Sequence, residues 1–290
     1  MRMLTLSIVI PCYNEARRID HTLDAVEALR HPLSVSGVRI EVIAVDDGST
    51  DDTYQRLAER ASSSPMPLVA LRHERNRGKG AAIRTAREHV HGDLVIFQDA
   101  DMELDPSEIP RVIAPLVAGR ADASLGSRFM HRHLIGRSAS WHEFGNSALT
   151  WLSNAFSGLR ITDMESGYKA FSAPVFHSLH LTSDRFGMEP EIVARLAQMR
   201  ARIIEVPVTY AGRSYAEGKK ITWRDGFAAI GHIMRASLTG ASQPVLPSAA
   251  RLRATGHATP YRILMPRSLS RTRTVSAPGA HTAPSKKRAI

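Results

Sequence analysis

Across its first 125 residues the chain alternates short apolar runs with stretches in which apolar residues recur every three or four positions. Residues 5–10, 39–45, 68–71, 94–98 and 121–125 have the length and composition of strands. The segments between them, 15–29, 51–62, 80–89 and 106–118, have helical spacing. Continuous apolar runs suit strands buried on both faces, as helices packed on either side of a parallel sheet bury them. The expected class is therefore α/β, an open, mostly parallel sheet flanked by helices. Helix starts are signalled at Ser49 or Thr50 ahead of Asp51 and Asp52, and at Asp105 before Pro106. Further on, helices are expected at 138–156, 173–179, 189–199 and 223–238, a polar turn at 163–169 and a strand at 202–209.

Charge separates the chain into two parts. The net charge of its 290 residues is +10, yet nine of the 38 Lys and Arg lie in residues 241–290, where there is no Asp or Glu. The preceding 240 residues are close to neutral. Six prolines and the absence of acids mark 241–290 as a disordered basic tail. A near-neutral body and a basic region poor in aromatics disfavour nucleic acid as the partner. The lone Cys12 cannot close an intramolecular disulfide and leaves no cysteine cage, which fits a reducing compartment. The apolar run before Pro11 has no small-residue cleavage site after it and reads as a buried strand rather than a signal peptide. No apolar run reaches the roughly 18 residues of a spanning helix. Trp141, Trp151 and Trp223 read as core residues or membrane-interface anchors, and His131 and His133 lack the carboxylate partners of a metal site.

Ligands of such sheets bind outside the carboxyl ends of the strands, and there the sequence is polar and acidic. The ends are Pro11-Cys12-Tyr13-Asn14-Glu15, Asp46-Asp47-Gly48-Ser49, residues 73–79, and Asp99-Ala100-Asp101-Met102-Glu103. If extended backbone continues past residue 98, Asp99, Asp101 and Glu103 face one way. Three hard oxygen donors then suit Mg2+ or Mn2+, with substrate phosphates completing the shell; a solvated acidic turn is the plainer alternative. Asp46 and Asp47 are placed either to accept from a ribose or base or to cap the next helix. Asn76-Arg77-Gly78-Lys79-Gly80 opens a helix whose free N–H groups and dipole favour an anion, without the spacing of a Walker loop.

Taken in order, these segments, with Gly126-Ser127-Arg128-Phe129, resemble the family 2 glycosyltransferases of the GT-A fold. Asp163-Met164-Glu165-Ser166-Gly167-Tyr168-Lys169, Arg185-Phe186-Gly187-Met188-Glu189-Pro190-Glu191 and residues 217–226 look like the branch that makes polyprenyl-phosphate sugars, the dolichyl-phosphate mannose and glucose synthases and their bacterial relatives. The resemblance covers residues 4–239 and implies one catalytic domain over 1–240, followed by the tail.

The resemblance further implies roles. Pro11, Tyr13, Glu15 and Asp46 would hold the nucleoside, with Asp47 and Lys79 near the ribose and phosphates and Asp99 and Ala100 in the same nucleotide-binding set. Asp99, Asp101 and Glu103 would hold the divalent metal. Arg128, Arg213 and Lys219 would meet phosphate and, with Asp101, form the catalytic set. The donor would be GDP-mannose or UDP-glucose, the acceptor a polyprenyl or dolichyl phosphate, and the transfer inverting. A phosphate acceptor is already an oxyanion, so no strong base is required; if there is one, Asp163 and Glu189 are the candidates, each of which fits equally as a structural acceptor for backbone N–H groups. The competing readings are a hydroxyl acceptor and a binding protein without turnover, against which the intact acidic triplet argues. The expected location is the cytoplasm, with the tail holding the protein at the inner face of the plasma membrane at about 1 kcal/mol per basic residue near anionic lipid.

Overall fold

The apolar run at 5–10 forms the middle of strand β1 (Leu4–Cys12). Leu6, Ile8 and Ile10 enter the core on one side of the sheet and Val9 the core on the other, so the strand is buried on both faces. The structure, a computed structural model, describes residues 2–130, 141–185 and 187–212, together with Gly231 and Met234. Arg213, Lys219, the expected helix at 223–238 apart from Gly231 and Met234, the basic tail, His131 and His133 lie outside the described residues.

The remaining strands are β2 (Val38–Asp46), β3 (Leu68–Arg72), β4 (Leu94–Phe97), β5 (Ala123–Ser127), β6 (Lys169–Ser172) and β7 (Ile203–Pro207). They form one seven-stranded sheet in the order β3-β2-β1-β4-β6-β5-β7. All pairings are parallel except those of β6, which runs antiparallel to β4 and β5. The α/β, mostly parallel expectation is met. Strand β6 begins where the expected polar turn ends, at Lys169, and its four residues, with a Lys and a Ser among them, have no legible period of their own. The chain passes outward through β2 and β3 and returns to the other side of β1 as β4. That reversal opens a crevice at the carboxyl ends of β1 and β4.

The helices are α1 (Ile19–Glu27), α2 (Arg30–Val35), α3 (Thr53–Ser63), α4 (Lys79–Arg87), α5 (Ile109–Val117), α6 (Trp141–Ser157), α7 (Ala173–Ser178) and α8 (Met188–Gln198). A 3-10 turn, Pro106–Glu108, leads into α5 and is capped by Asp105, whose carboxylate accepts from the Ser107 N–H at 2.8 Å. Helix α1 starts later than expected, at Ile19, after a turn in which the Arg18 and Ile19 N–H groups donate to the Glu15 carbonyl. Helices α1, α3 and α5 cover one face of the sheet, and α4, α7 and α8 the other. On the second face the fully buried rings of Phe97, Phe171 and Phe176 meet with centroids 5.4 to 6.1 Å apart. Each contributes roughly 1.5–3 kcal/mol by burial. Among the described residues no helix is long and apolar enough to cross a membrane.

Candidate active site

The loops that leave β1 and β2 are laced together. Asn14 donates its N–H to Ser49 Oγ at 2.9 Å and accepts from the Thr50 N–H at 2.8 Å, while the Glu15 N–H reaches Thr53 Oγ1 at 2.9 Å. This network places Pro11, a half-exposed Tyr13 and a half-buried Glu15 at the mouth of the crevice. Asp46 and Asp47 are both buried. Asp46 accepts from the Ser49 N–H and pairs with Arg72 Nε at 3.3 Å. Asp47 accepts from the N–H groups of Arg77 and Gly78, at 2.9 and 2.7 Å, and meets His73 Nδ1 at 2.7 Å. Asp47, which the resemblance places near the ribose and phosphates, spends its carboxylate on the loop before α4. Neither residue caps α3. The N-cap is Asp52, without a side-chain cap bond, and in the loop just ahead Asp51 accepts from the Thr53 N–H at 3.1 Å.

The acidic turn after β4 departs from the expected geometry. The strand ends at Phe97 and Met102 adopts a φ of 60°, so the alternation that would align Asp99, Asp101 and Glu103 is broken. Asp99 Oδ1 takes the Lys79 ammonium at 2.7 Å. Asp101 Oδ1 accepts from the Glu103 N–H at 3.0 Å, and Glu103 Oε2 accepts from the Tyr210 hydroxyl at 2.7 Å. Among the described residues no group of three or more His, Cys, Asp or Glu converges as a metal cage. What the turn offers is hard oxygen in excess of cations, which fits a divalent ion that takes one or two carboxylates and completes its shell with phosphate and water.

Distant residues hold this turn. Gln98 Nε2 donates to the carbonyls of Asp99 and Leu104, at 3.0 and 3.2 Å, and Gln98 Oε1 accepts from the buried Tyr168 hydroxyl at 2.7 Å. Thr22 on α1 donates to the Ala100 carbonyl at 3.0 Å, so buried Ala100 is a backbone anchor. A Cβ on Gly167 would stand 2.3 Å from Asp99 Oδ2, so a larger residue there would push that carboxylate aside.

Lys79 lies between Asp99 and Glu189 Oε1, the latter at 3.4 Å. Burial alone would lower its pKa, but Asp99, Glu189 and Asp101 outweigh burial and hold the ammonium above its ordinary value. Deeper in, Lys169 is buried and donates to the carbonyls of Met164 and Ser166. Glu165 Oε1 is buried without a hydrogen-bond partner, and burial, then the nearby Glu189, raises the Glu165 carboxyl to about 7. A raised carboxyl costs nothing below its ordinary value of 4.5, and its penalty develops fully above the folded value. Glu165→Gln, neutral at every pH, is therefore expected to melt above the wild type at pH 8. Thermal melts at decreasing pH should show that advantage fading from about 7 towards 4.5.

The start of α4 is not the anion cradle that its glycines suggested. The N–H groups of Gly80 and Ala81 donate to the Asp184 carbonyl, at 2.8 and 3.3 Å, and Arg84 Nη1 donates to the Ser183 carbonyl at 2.9 Å. A Cβ on Gly80 would lie 2.1 Å from the Ser183 oxygen, and one on Gly78, at φ 101°, would lie 2.3 Å from the Asp184 oxygen. The glycines admit the segment after α7, which Glu191 fixes by accepting from the N–H groups of Thr182 and Ser183, at 3.0 and 2.8 Å. Gly80→Ala is expected to destabilise by about 1–3 kcal/mol, seen as a thermal midpoint lower by roughly 2–4 °C per kcal/mol.

Arg128, just past β5, grips Asp163 with both ends of its guanidinium. Nε donates to Oδ2 at 2.7 Å and Nη2 to Oδ1 at 2.8 Å; the Arg128 backbone N–H adds a third bond and Asn146 on α6 a fourth. Burial would raise the Asp163 carboxyl, but Arg128 overrides it and holds it below the ordinary range. Asp163 is thus fully engaged as an acceptor by Arg128 and Asn146. The guanidinium also lies 5.2 Å from the Tyr210 ring centroid. Tyr210 went unremarked in the sequence, since nothing local links it to residues about a hundred positions earlier. Cys12 is buried and its thiol pKa is raised by burial, then by Asp46, as suits an inert side chain.

The chain matches the sequence model of glycosyl transferase family 2 over residues 7–170. It is 31% identical over 224 residues to the low-salt glycan biosynthesis hexosyltransferase Agl6 of Haloferax volcanii, an alignment covering 77% of this chain and 51% of that one. It is 29% identical to an undecaprenyl-phosphate 4-deoxy-4-formamido-L-arabinose transferase of Pseudomonas savastanoi, over 74% of this chain and 60% of that one. The chain thus spans between half and three-fifths of the length of these relatives. Glucosyl-3-phosphoglycerate synthase from Mycobacterium tuberculosis, solved with Mn2+, UDP and phosphoglyceric acid, superposes with a TM-score of 0.59 at 21% identity, over 81% of this chain and 78% of that one. That likeness is one of fold, the GT-A arrangement.

Proposed function

This chain belongs to glycosyl transferase family 2, and from that premise we propose that it moves a hexose from a nucleotide-sugar to the phosphate of a polyprenyl or dolichyl lipid, with inversion. The observation that carries the reading is the pairing of opposite chemistries at one sheet edge. The turn Asp99–Asp101 with Lys79 lies at the end of β4, and the Arg128 guanidinium lies past β5. Relatives named for undecaprenyl-phosphate sugar transfer support the acceptor.

In this reading Pro11, Tyr13 and Glu15 border the nucleoside, with Asp46 behind them shaping the loop. Asp99 and Asp101 would hold Mg2+ or Mn2+, and a solved protein of the same fold carries Mn2+ and UDP. A bound divalent ion supplies charge stabilisation for the departing diphosphate. Lys79, kept charged by its carboxylates, adds a fixed cation on the same side. Arg128, still cationic while pinned by Asp163, is proposed to meet the acceptor phosphate with its remaining N–H groups, and the same role is proposed for Arg213 and Lys219, which lie outside the described residues. The lipid oxyanion attacks the anomeric carbon directly, so the engagement of Asp163 by Arg128 costs the reaction nothing.

Incubation with GDP-mannose or UDP-glucose, Mg2+ or Mn2+ and undecaprenyl or dolichyl phosphate is expected to move sugar label into an organic-extractable glycolipid. Label transferred only to hydroxyl acceptors, or no turnover with either, would refute the lipid-phosphate reading. The catalytic domain is proposed to occupy residues 1–240, acting in the cytoplasm. The basic residues of 241–290 are proposed to hold it near anionic membrane. Deleting them should weaken vesicle binding at low salt without changing turnover on detergent-dispersed acceptor, as sedimentation and the transfer assay would show.

A further inference from the structure

The segment after β7 crosses the site and touches both of its halves. The Thr209 N–H donates to Glu108 Oε2 at 2.9 Å, the Ala211 N–H to the Glu103 carbonyl at 2.9 Å, and the Tyr210 hydroxyl to Glu103 Oε2 at 2.7 Å. Glu103 in turn donates its N–H to Asp101 Oδ1 at 3.0 Å, across the φ 60° residue Met102. The other side of the clamp is the Tyr210 ring, with the Arg128 guanidinium 5.2 Å from its centroid. One side chain therefore reaches the carboxylate turn through its oxygen and the arginine through its ring.

We propose that Tyr210 is a positioning residue that fixes the Asp99–Glu103 turn and the Arg128 guanidinium at a set separation, one holding the diphosphate side and the other the acceptor phosphate. The inference rests on the roles given above to Asp101 and Arg128. The physical case is that a left-handed non-glycine residue persists only where its surroundings hold it. The two bonds to Glu103, one from hydroxyl and one from backbone, hold the turn that contains Met102. A hydrogen bond to a carboxylate is among the stronger kinds, and a ring beneath a guanidinium orients it while leaving N–H groups on its rim available.

The oxygen and the ring can be removed separately. Tyr210→Phe keeps the ring and loses the bond to Glu103, whereas Tyr210→Leu loses both. With Phe, amide exchange in the turn at 99–104 is expected to accelerate at least about tenfold, with the rest of the sheet unchanged. Mn2+ affinity of the protein alone, read by electron paramagnetic resonance, should weaken by about tenfold, while KM for undecaprenyl phosphate stays within about twofold of wild type. With Leu, that KM should also rise by at least about fivefold. Wild-type exchange in the Phe variant would overturn the clamp. Accelerated exchange with unchanged Mn2+ affinity would overturn its role in positioning Asp101. A wild-type protein that binds no Mn2+ and forms no glycolipid, beside accelerated exchange in the variant, would refute the functional reading and the positioning role while leaving the contact itself.

Discussion

Asp101→Asn is expected to lower metal-dependent sugar transfer by about 10²–10³-fold, the loss typical of removing one preorganised electrostatic group from a reacting centre. The substitution is close to isosteric, and the side-chain oxygen that accepts from the Glu103 N–H is retained. The turn should therefore keep its shape and the thermal midpoint should stay near that of the wild type. Only the charge is lost, and with it one of the three carboxylates that keep Lys79 ionised. Initial rates of glycolipid formation at saturating Mn2+, with a melting curve on the same preparation, measure both. Turnover within a few-fold of wild type would remove Asp101 from the proposed metal site.

The second large effect is on stability. Asp163 is fully buried and Arg128 partly so, with side-chain exposures of 0% and 20%. Asp163→Asn leaves the guanidinium buried without its counter-charge and turns an amide N–H₂ towards its donors, a change expected to cost about 3–5 kcal/mol. At roughly 2–4 °C per kcal/mol the melting midpoint at pH 7 should fall by roughly 6–20 °C. The sign with pH follows from the depressed Asp163 carboxyl: its stabilisation is present above the unfolded value of 3.8 and disappears as the pH falls through the lower folded value. The difference between wild type and variant should persist down to about pH 4 and close only in stronger acid. A variant that melts with the wild type at pH 7 would show that the pair contributes nothing net.

The elements legible from local pattern are those with long apolar runs or clear helical spacing. β1 and β2 grew outward from the expected cores at 5–10 and 39–45, and α8 matched the expected helix at 189–199 to within a residue at each end. Strand β6 was missed because its four residues are made a strand by β4 and β5 on either side rather than by their own pattern. The same division holds within the site. That Asp99, Asp101, Lys79 and Arg128 gather at one edge follows from the parallel strand order, since every strand ending there delivers its next residues to that edge.

What each of those residues touches was not legible. The sequence leaves Asp47 as a ribose or phosphate neighbour or a helix cap, the glycines at 78 and 80 as an anion cradle, and Asp163 as a base or a structural acceptor; their contacts in the fold are with the loop before α4, a neighbouring backbone and Arg128. By itself the sequence determined the α/β class, the sheet edge that carries the chemistry and the family, because periodicity and ordered motifs are properties of neighbouring residues. The tertiary structure decided which carboxylates remain for a ligand and which are taken up internally. A carboxylate settles with whichever donor the fold brings within about 3 Å, and for Asp163 and Glu103 that donor lies 35 and 107 positions away in the chain.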